Sequence, residues 1–281
     1  MKISPRTLLA AALLTALPMG GALACTTVAW DATTNAQAGN PKGRNGEPAV
    51  PRYSGTCGLE AATAGASYVT DNTGGGGEAI YRARFYVYTG SAADGTQIFS
   101  ATSGADGGGS PAFSIAIDNG ALAFTVNNTT VAGTHPIVAS KWYGVEVLYR
   151  ANGAFTAKVR GNRALTESTY TSAGNAGAVN VGSARLGVIN AVSNATSLAF
   201  DAFESTRSEA TEIGRLCPGD ANGNNIVNSG DAIVVLNEVP ANGAYAQGQP
   251  DCTEDGLINA GDAICVLNRF AVPAQRDCIA I

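Results

Sequence analysis

The chain of 281 residues has a single histidine, His135, and only four lysines beside thirteen arginines. One histidine leaves no poly-His metal site and admits Ser-His-Asp chemistry only with His135 as the base. Seventeen basic side chains against twenty-two acidic ones leave a net charge of −5. Lys and Arg form no run, so composition argues against nucleic acid as a partner. No apolar stretch is long enough to span a bilayer, so no transmembrane segment is expected. Cysteines are few, but the six are even in number (25, 57, 217, 252, 265 and 278), which favours full pairing in an oxidising compartment.

Residues 1–24 read as a secretory signal peptide. Lys2 and Arg6 form a charged start, Leu8 to Leu17 an apolar stretch, and Ala22-Leu23-Ala24 an A-x-A cleavage site. The expected location is secreted, extracellular or periplasmic. A lipoprotein acylated at Cys25 is the second reading, although Ala22-Leu23-Ala24 departs from the usual lipobox and acylation would strand one cysteine.

Charge divides what remains. Residues 217–281 hold eight acids against Arg269 and Arg276, a net of −6, whereas residues 25–216 carry −1. The composition therefore predicts a lead-in over 25–56 tied by a Cys25–Cys57 bridge, a β domain over 57–207, a linker over 208–216 and an acidic domain over 217–281.

Between Tyr68 and Thr206 the pattern has period two. Tyr81, Ala83, Phe85 and Val87 alternate with Arg82, Arg84, Tyr86 and Tyr88, and Phe113, Ile115 and Ile117 with Ser114, Ala116 and Asp118. Asp118-Asn119-Gly120 and Asn152-Gly153 read as hairpin turns, the second leading from Val145, Val147 and Tyr149 into Phe155, Ala157 and Val159. Many short strands with Gly-rich turns and no helical window predict a mainly β chain with an antiparallel sandwich. The stretches 81–85, Trp142 to Val147 and Phe200 to Glu204 resemble the laminin-G or concanavalin A-like jelly-roll sandwiches. That resemblance implies a binding domain for glycans or proteins, and in some relatives a glycoside hydrolase.

Retaining glycoside hydrolysis needs two carboxylates about 5–5.5 Å apart on one strand face. Asp201 and Glu204 are three apart, which puts them on opposite faces unless a bulge intervenes. No catalytic residue is assigned, and the chain is expected not to be an enzyme; a divergent glycoside hydrolase is the alternative. His135, in Gly133-Thr134-His135-Pro136, reads as a solvated loop residue, Trp142 as core, and Arg82 and Arg84 as a solvated face.

The tail contains a repeat. Residues 220–231 and 251–262 are twelve-residue loops, 31 residues apart at their starts, each running into a matching apolar segment. A hard cation such as Ca²⁺ takes six to eight oxygens, which such a loop presents from alternate positions. The spacing assigns Asp220, Asn222, Asn224, Asn228 and Asp231 with the Ile226 carbonyl to one site. It assigns Asp251, Thr253, Asp255, Asn259 and Asp262 with the Leu257 carbonyl to a second. Position 6 must turn sharply, which Gly256 does freely and Asn225 tolerates. Position 8 is apolar in both loops (Val227 and Ile258), where paired loops pack.

Two loop–helix repeats without a preceding helix resemble the type I dockerin module over nearly all of 217–281. The resemblance implies two bound Ca²⁺ ions, a helical C-terminal domain and a cohesin-like partner. With Asn224 where the family usually has Asp, the first loop is expected to bind more weakly, and the missing basic pair in the helices departs from the cellulosomal type. Pairing Cys217 with Cys278 would clasp the module and leave Cys252 with Cys265, but four cysteines allow three connectivities. Zinc is disfavoured because no C-x-x-C pair occurs. The reading as a whole is a secreted, non-catalytic, calcium-binding protein with a glycan- or protein-binding sandwich, with a structural surface protein as a further alternative.

Overall fold

The computed structural model describes residues 30–39, 41–42, 50–73, 77–89, 94–161, 167–174, 176–190, 197–207, 212–240 and 243–273. The expected signal peptide, Cys25 and Cys278 lie outside the described residues.

Two antiparallel sheets form the body. In spatial order the first holds β1 (Ala32–Thr34), β6 (Ser67–Asn72), β16 (Ser183–Val188), β8 (Thr96–Thr102), β9 (Pro111–Asp118), β10 (Ala121–Val126) and β11 (Thr129–Thr130), with β12 (His135–Pro136) also pairing with β10. The second holds β15 (Ser168–Thr171), β14 (Phe155–Gly161), β13 (Trp142–Arg150), β7 (Ile80–Tyr88), β17 (Ser197–Thr206), β5 (Gly58–Ala62) and β2 (Gln37–Gly39). A parallel two-residue pair, β3 (Pro41–Lys42) and β4 (Val50–Pro51), stands apart. Two helices follow, α1 (Ser229–Glu238) and α2 (Ala260–Ala271).

Alternation explains how the sheets meet. Period two sends Tyr81, Ala83, Phe85 and Val87 of β7 to one face, and all four are buried in the same core as Phe99, Phe113, Leu122 and Phe124 of the first sheet. Phe85 stacks on Phe99 at 5.3 Å between ring centroids, and Phe113 on Tyr149 at 5.4 Å, so aromatic pairs bridge the sandwich. Each such ring contributes about 1.5–3 kcal/mol by burial.

Asn119 (φ 48°) and Gly120 (φ 68°) form the expected two-residue turn, with Asp118 paired to Ala121 across it. The second hairpin differs. Its last pair is Tyr149 with Phe155, and the turn is closed instead by Gly153 N–H donating to the Arg150 carbonyl at 3.0 Å. Asn152 N–H donates to the Gly177 carbonyl and Ala176 N–H to the Gly153 carbonyl, both at 2.6 Å, so the neighbouring 176–177 segment sets this turn's shape.

The segment before Cys57 is more than a lead-in, since β1 extends one sheet and β2 the other. Just after β4, Arg52 and Tyr53 are fully buried on the outer side of the second sheet. That outer face is the surface on which the C-terminal segment rests. Arg82 and Arg84, expected to be solvated, are buried there. Arg82 pairs with Glu146 at 2.6 Å, and Glu146 in turn accepts from Ile213 N–H (3.1 Å) and Gly214 N–H (2.9 Å). Arg84 donates to the Gly214 carbonyl at 2.9 Å and pairs with Glu204 at 3.1 Å. Residues 212–216 are thus a strap fastened across the sheet, and this cover removes the two arginines from water.

Candidate metal centre

In each C-terminal loop the carboxylate at position 1 gathers the amides of positions 5 and 6. Asp220 accepts from Asn224 N–H (3.0 Å) and Asn225 N–H (2.7 Å), and Asp251 from Asp255 N–H (3.1 Å) and Gly256 N–H (2.7 Å). The carboxylate at position 12 gathers positions 3 and 9. Asp231 accepts from Asn222 N–H (3.1 Å) and Asn228 N–H (2.9 Å), and Asp262 from Thr253 N–H (3.0 Å) and Asn259 N–H (2.9 Å). The position 5 side chain accepts from position 7, Asn224 from Ile226 N–H at 2.9 Å and Asp255 from Leu257 N–H at 3.0 Å. The two loops therefore share these contacts position for position.

Position 9 ends each loop by starting a helix. Asn228 caps α1 and Asn259 caps α2, each accepting from the glycine two residues on at 2.7 Å, in a capping box closed by Asp231 or Asp262. Position 6 is left-handed, as the turn demands: Asn225 at φ 64° and Gly256 at φ 81°. Val227 and Ile258 at position 8 are buried in one apolar cluster with Val235 and Val266 of the helices.

The donor chemistry suits a hard cation. In the second loop the Thr253 hydroxyl lies 2.9 Å from Asp262 Oδ1 and 3.3 Å from Asp251 Oδ1, so the first and last carboxylates converge on one point. Burial, and then the neighbouring Asp262, pushes Asp251 well above the ordinary carboxylate range, and Asp262 is raised too, by burial first. Asp231 is raised by burial, with Asp220 adding to it. Among the described residues no three His, Cys, Asp or Glu side chains cluster tightly enough to hold a metal by themselves. The first loop instead offers two carboxylates beside amide and carbonyl oxygens, and the second adds the Asp255 carboxylate and the Thr253 hydroxyl.

Cys252, at position 2 of the second loop, is disulfide-bonded to Cys265 on α2, with 5.8 Å between the α-carbons. Cys57 and Cys217 are also disulfide-bonded.

The second loop rests on the sandwich. Glu254, at position 4, adopts φ 54° and is buried, where it accepts from the Tyr53 hydroxyl at 2.8 Å and pairs with Arg215 at 3.4 Å. Tyr88 donates to the Asp255 carbonyl at 3.1 Å, and Trp142 N–H to the Glu254 carbonyl at 3.3 Å. Sequence reading missed Glu254, Tyr53 and Arg215. The available signal was the mismatch at position 4, where Gly223 of the first loop adopts a left-handed backbone freely and Glu254 does so only at a cost.

The remaining candidate residues fall elsewhere. Trp142 is buried, but on the outer face with Tyr53 and Tyr86 rather than between the sheets. His135 belongs to β12, half-buried, with Nδ1 3.1 Å from the Tyr170 hydroxyl, and burial lowers its pKa; the loop reading missed this strand pairing. A register shift does separate Asp201 from Glu204, with Ala202 at φ 49° between them. The shift makes no carboxylate pair, because Asp201 accepts from the backbone N–H groups of Ser54 (2.9 Å) and Ala202 (2.6 Å), whereas Glu204 is exposed beside Arg84. Ile233 and Leu236 of α1 and their counterparts Ile264 and Leu267 of α2 are exposed, from 46% to 60%.

No protein-family model and no curated protein matches the chain. Among solved structures, the receptor-binding domain of botulinum neurotoxin C/D mosaic serotype is similar at 12% identity and TM-score 0.41, covering 64% of this chain and 44% of that one. The botulinum neurotoxin type G receptor-binding domain matches at 12% identity and TM-score 0.37, covering 62% and 42%. The cellulose-induced protein Cip1 matches at 9% identity and TM-score 0.42, covering 63% and 88%. The chain thus spans less than half the length of the botulinum domains. Overlays this loose carry no weight for function, and the sandwich rests on its own strand pairing: a mainly β body of two antiparallel sheets followed by two helices.

Proposed function

We propose that the chain is a secreted, non-catalytic calcium-binding protein, in which a dockerin-like C-terminal domain is stabilised by Ca²⁺ and the sandwich binds a glycan or an extracellular protein. The observation that carries the calcium reading is the set of hydrogen bonds that 220–231 and 251–262 share, which turns the first and last carboxylates of each loop inward. Asp220, Asn222, Asn224, Asn228, Asp231 and the Ile226 carbonyl would hold one ion. Asp251, Thr253, Asp255, Asn259, Asp262 and the Leu257 carbonyl would hold the other. The ion supplies positive charge that offsets the crowding of buried carboxylates. With three carboxylates against two, the second loop is the tighter site.

Export is supported by the signal-like residues 1–24 and by the Cys252–Cys265 disulfide. No described helix is long and apolar enough to cross a membrane. A protein partner of cohesin type is supported by the matched exposed residues Ile233, Leu236, Ile264 and Leu267, an apolar stripe presented twice. Hydrolysis is disfavoured because Asp201 is committed to backbone amides.

Calcium titration calorimetry on the full oxidised chain from residue 25 tests this. Two ions are expected, with the weaker removed by Asp220→Ala and the tighter by Asp251→Ala. Absence of any calcium binding in a correctly disulfide-bonded sample would sink the reading.

A further inference from the structure

Where the strap crosses the sandwich, a cavity of about 260 Å³ opens on the outer face of the second sheet, lined by the cations Arg84, Lys158, Arg160 and Arg215 and by Glu146, Glu167 and Glu212. Gly144 lines it and leaves room for the Tyr86 ring. A Cβ there would come within 2.7 Å of the Tyr86 ring, which lies across β13 at this point.

Its cations are not alike. Arg84 pairs with Glu204, Arg215 with Glu254, and Lys158 with both Glu167 (3.3 Å) and Glu212 (2.6 Å). Arg160 forms none of these pairs, and its Nε and Nη1 are sealed from solvent without an acceptor among the described residues. Arg269 of α2 is in the same condition at Nε and Nη2. The two belong to one electrostatic cluster. Burial first, then Arg215, holds both the Arg160 and Arg269 guanidinium groups below their usual range, with Glu254 opposing in each case and Glu167 also opposing at Arg160. Three guanidinium groups thus share one carboxylate that reaches them all. Sealed N–H groups of a cation that find no acceptor are unfavourable, and the cavity beside Arg160 and Arg215 is where an anion would relieve them.

We propose that this cavity binds the acidic group of an anionic glycan, with Arg160 and Arg215 as the oxyanion's partners. The rim suits the rest of such a ligand. Glu167, Lys158 and Glu212 form a partly exposed row of acceptor, donor and acceptor, the chemistry that recognises sugar hydroxyls. The volume lies just under the 300–1,000 Å³ usual for drug-sized ligands, room for one sugar unit of a longer chain. The assignment gives the sandwich a ligand class and rests on the binding role proposed above.

The test is titration calorimetry of the full chain, with calcium present, against an oligogalacturonate, a neutral cello-oligosaccharide of equal length and sodium sulfate. The oligogalacturonate is expected to bind at least about 10-fold more tightly than the neutral oligomer, and Arg160→Gln to weaken it by about 10-fold or more, as loss of a charge-assisted hydrogen bond does. Because Arg160 Nε and Nη1 have no acceptor to lose among the described residues, the ligand-free Arg160→Gln protein should melt at the parent temperature or above it. This readout separates loss of the site from loss of the fold. Equal binding of neutral and acidic oligomers, or acidic binding indifferent to Arg160→Gln, overturns the proposal. Sulfate binding as tight as the oligomer overturns its glycan part. No glycan binding by a chain that still titrates with calcium overturns the ligand class and leaves the metal reading standing.

Discussion

Arg52 and Glu238 form a fully buried ion pair 186 residues apart in the chain, joining the start of the sandwich to the last turn of α1. Glu238 also accepts from Ala246 N–H at 2.9 Å, and Arg52 donates to the Gly55 carbonyl. A buried charge that loses its partner costs about 3–5 kcal/mol. Arg52→Met should therefore lower the stability measured by urea unfolding by that amount, with sandwich and tail still melting together. A loss below about 1 kcal/mol would show that the pair does not hold the two parts.

Gly256 meets two demands, a backbone at φ 81° and clearance from Tyr88, whose ring would stand 2.5 Å from an added Cβ. Gly256→Ala is expected to cost more than the ~1 kcal/mol of a left-handed alanine alone. Adding Tyr88→Ala should recover the steric part and leave the backbone part, a coupling that a double-mutant cycle reads directly. Strict additivity of the two changes would contradict this geometry.

Asp201 has a carboxyl that burial raises to about 6 despite its backbone donors. A folded pKa above the unfolded one means that the fold favours the neutral acid. Its contribution is present in full below about pH 4 and is lost as pH rises through about 6. Relative to Asp201→Asn, the parent should lose on the order of 3 kcal/mol between those limits. Parallel stability-versus-pH curves for the two proteins would refute the assignment.

Chelation should act mainly through the tail. With calcium at about 100 times Kd, binding adds about 2.7 kcal/mol to the folded state. EDTA is expected to lower the melting temperature of the parent, to have a smaller effect on Asp220→Ala and to have the least on Asp251→Ala. An EDTA response unchanged in Asp251→Ala would place the cation elsewhere.

Much of this was legible from spacing. Period two located β7, β9, β13 and β14 because a two-sided sheet imposes it locally, and the loop repeat was legible because each loop falls within twelve consecutive residues. What local pattern does not encode is cover. Arg82 and Arg84 face outward as the alternation says, yet they are buried, because the strap at 212–216 returns to them from late in the chain. Trp142 is buried as expected, but on the outer face, where the second loop meets it. His135 was misread for a similar reason. Its two-residue strand is defined by pairing with Leu122, and no pattern of that length announces itself. The docking of the second loop through Glu254 did not follow from its composition.

The Glu254 anchor changes what it would mean to cut the chain at Leu216. Severing the tail there would strip the lid from Tyr53, Tyr86 and Trp142 and strand Arg52 without its counter-charge. The sandwich alone would present a sticky aromatic wound, prone to self-association. Fusions that borrow either half should carry the other along with it.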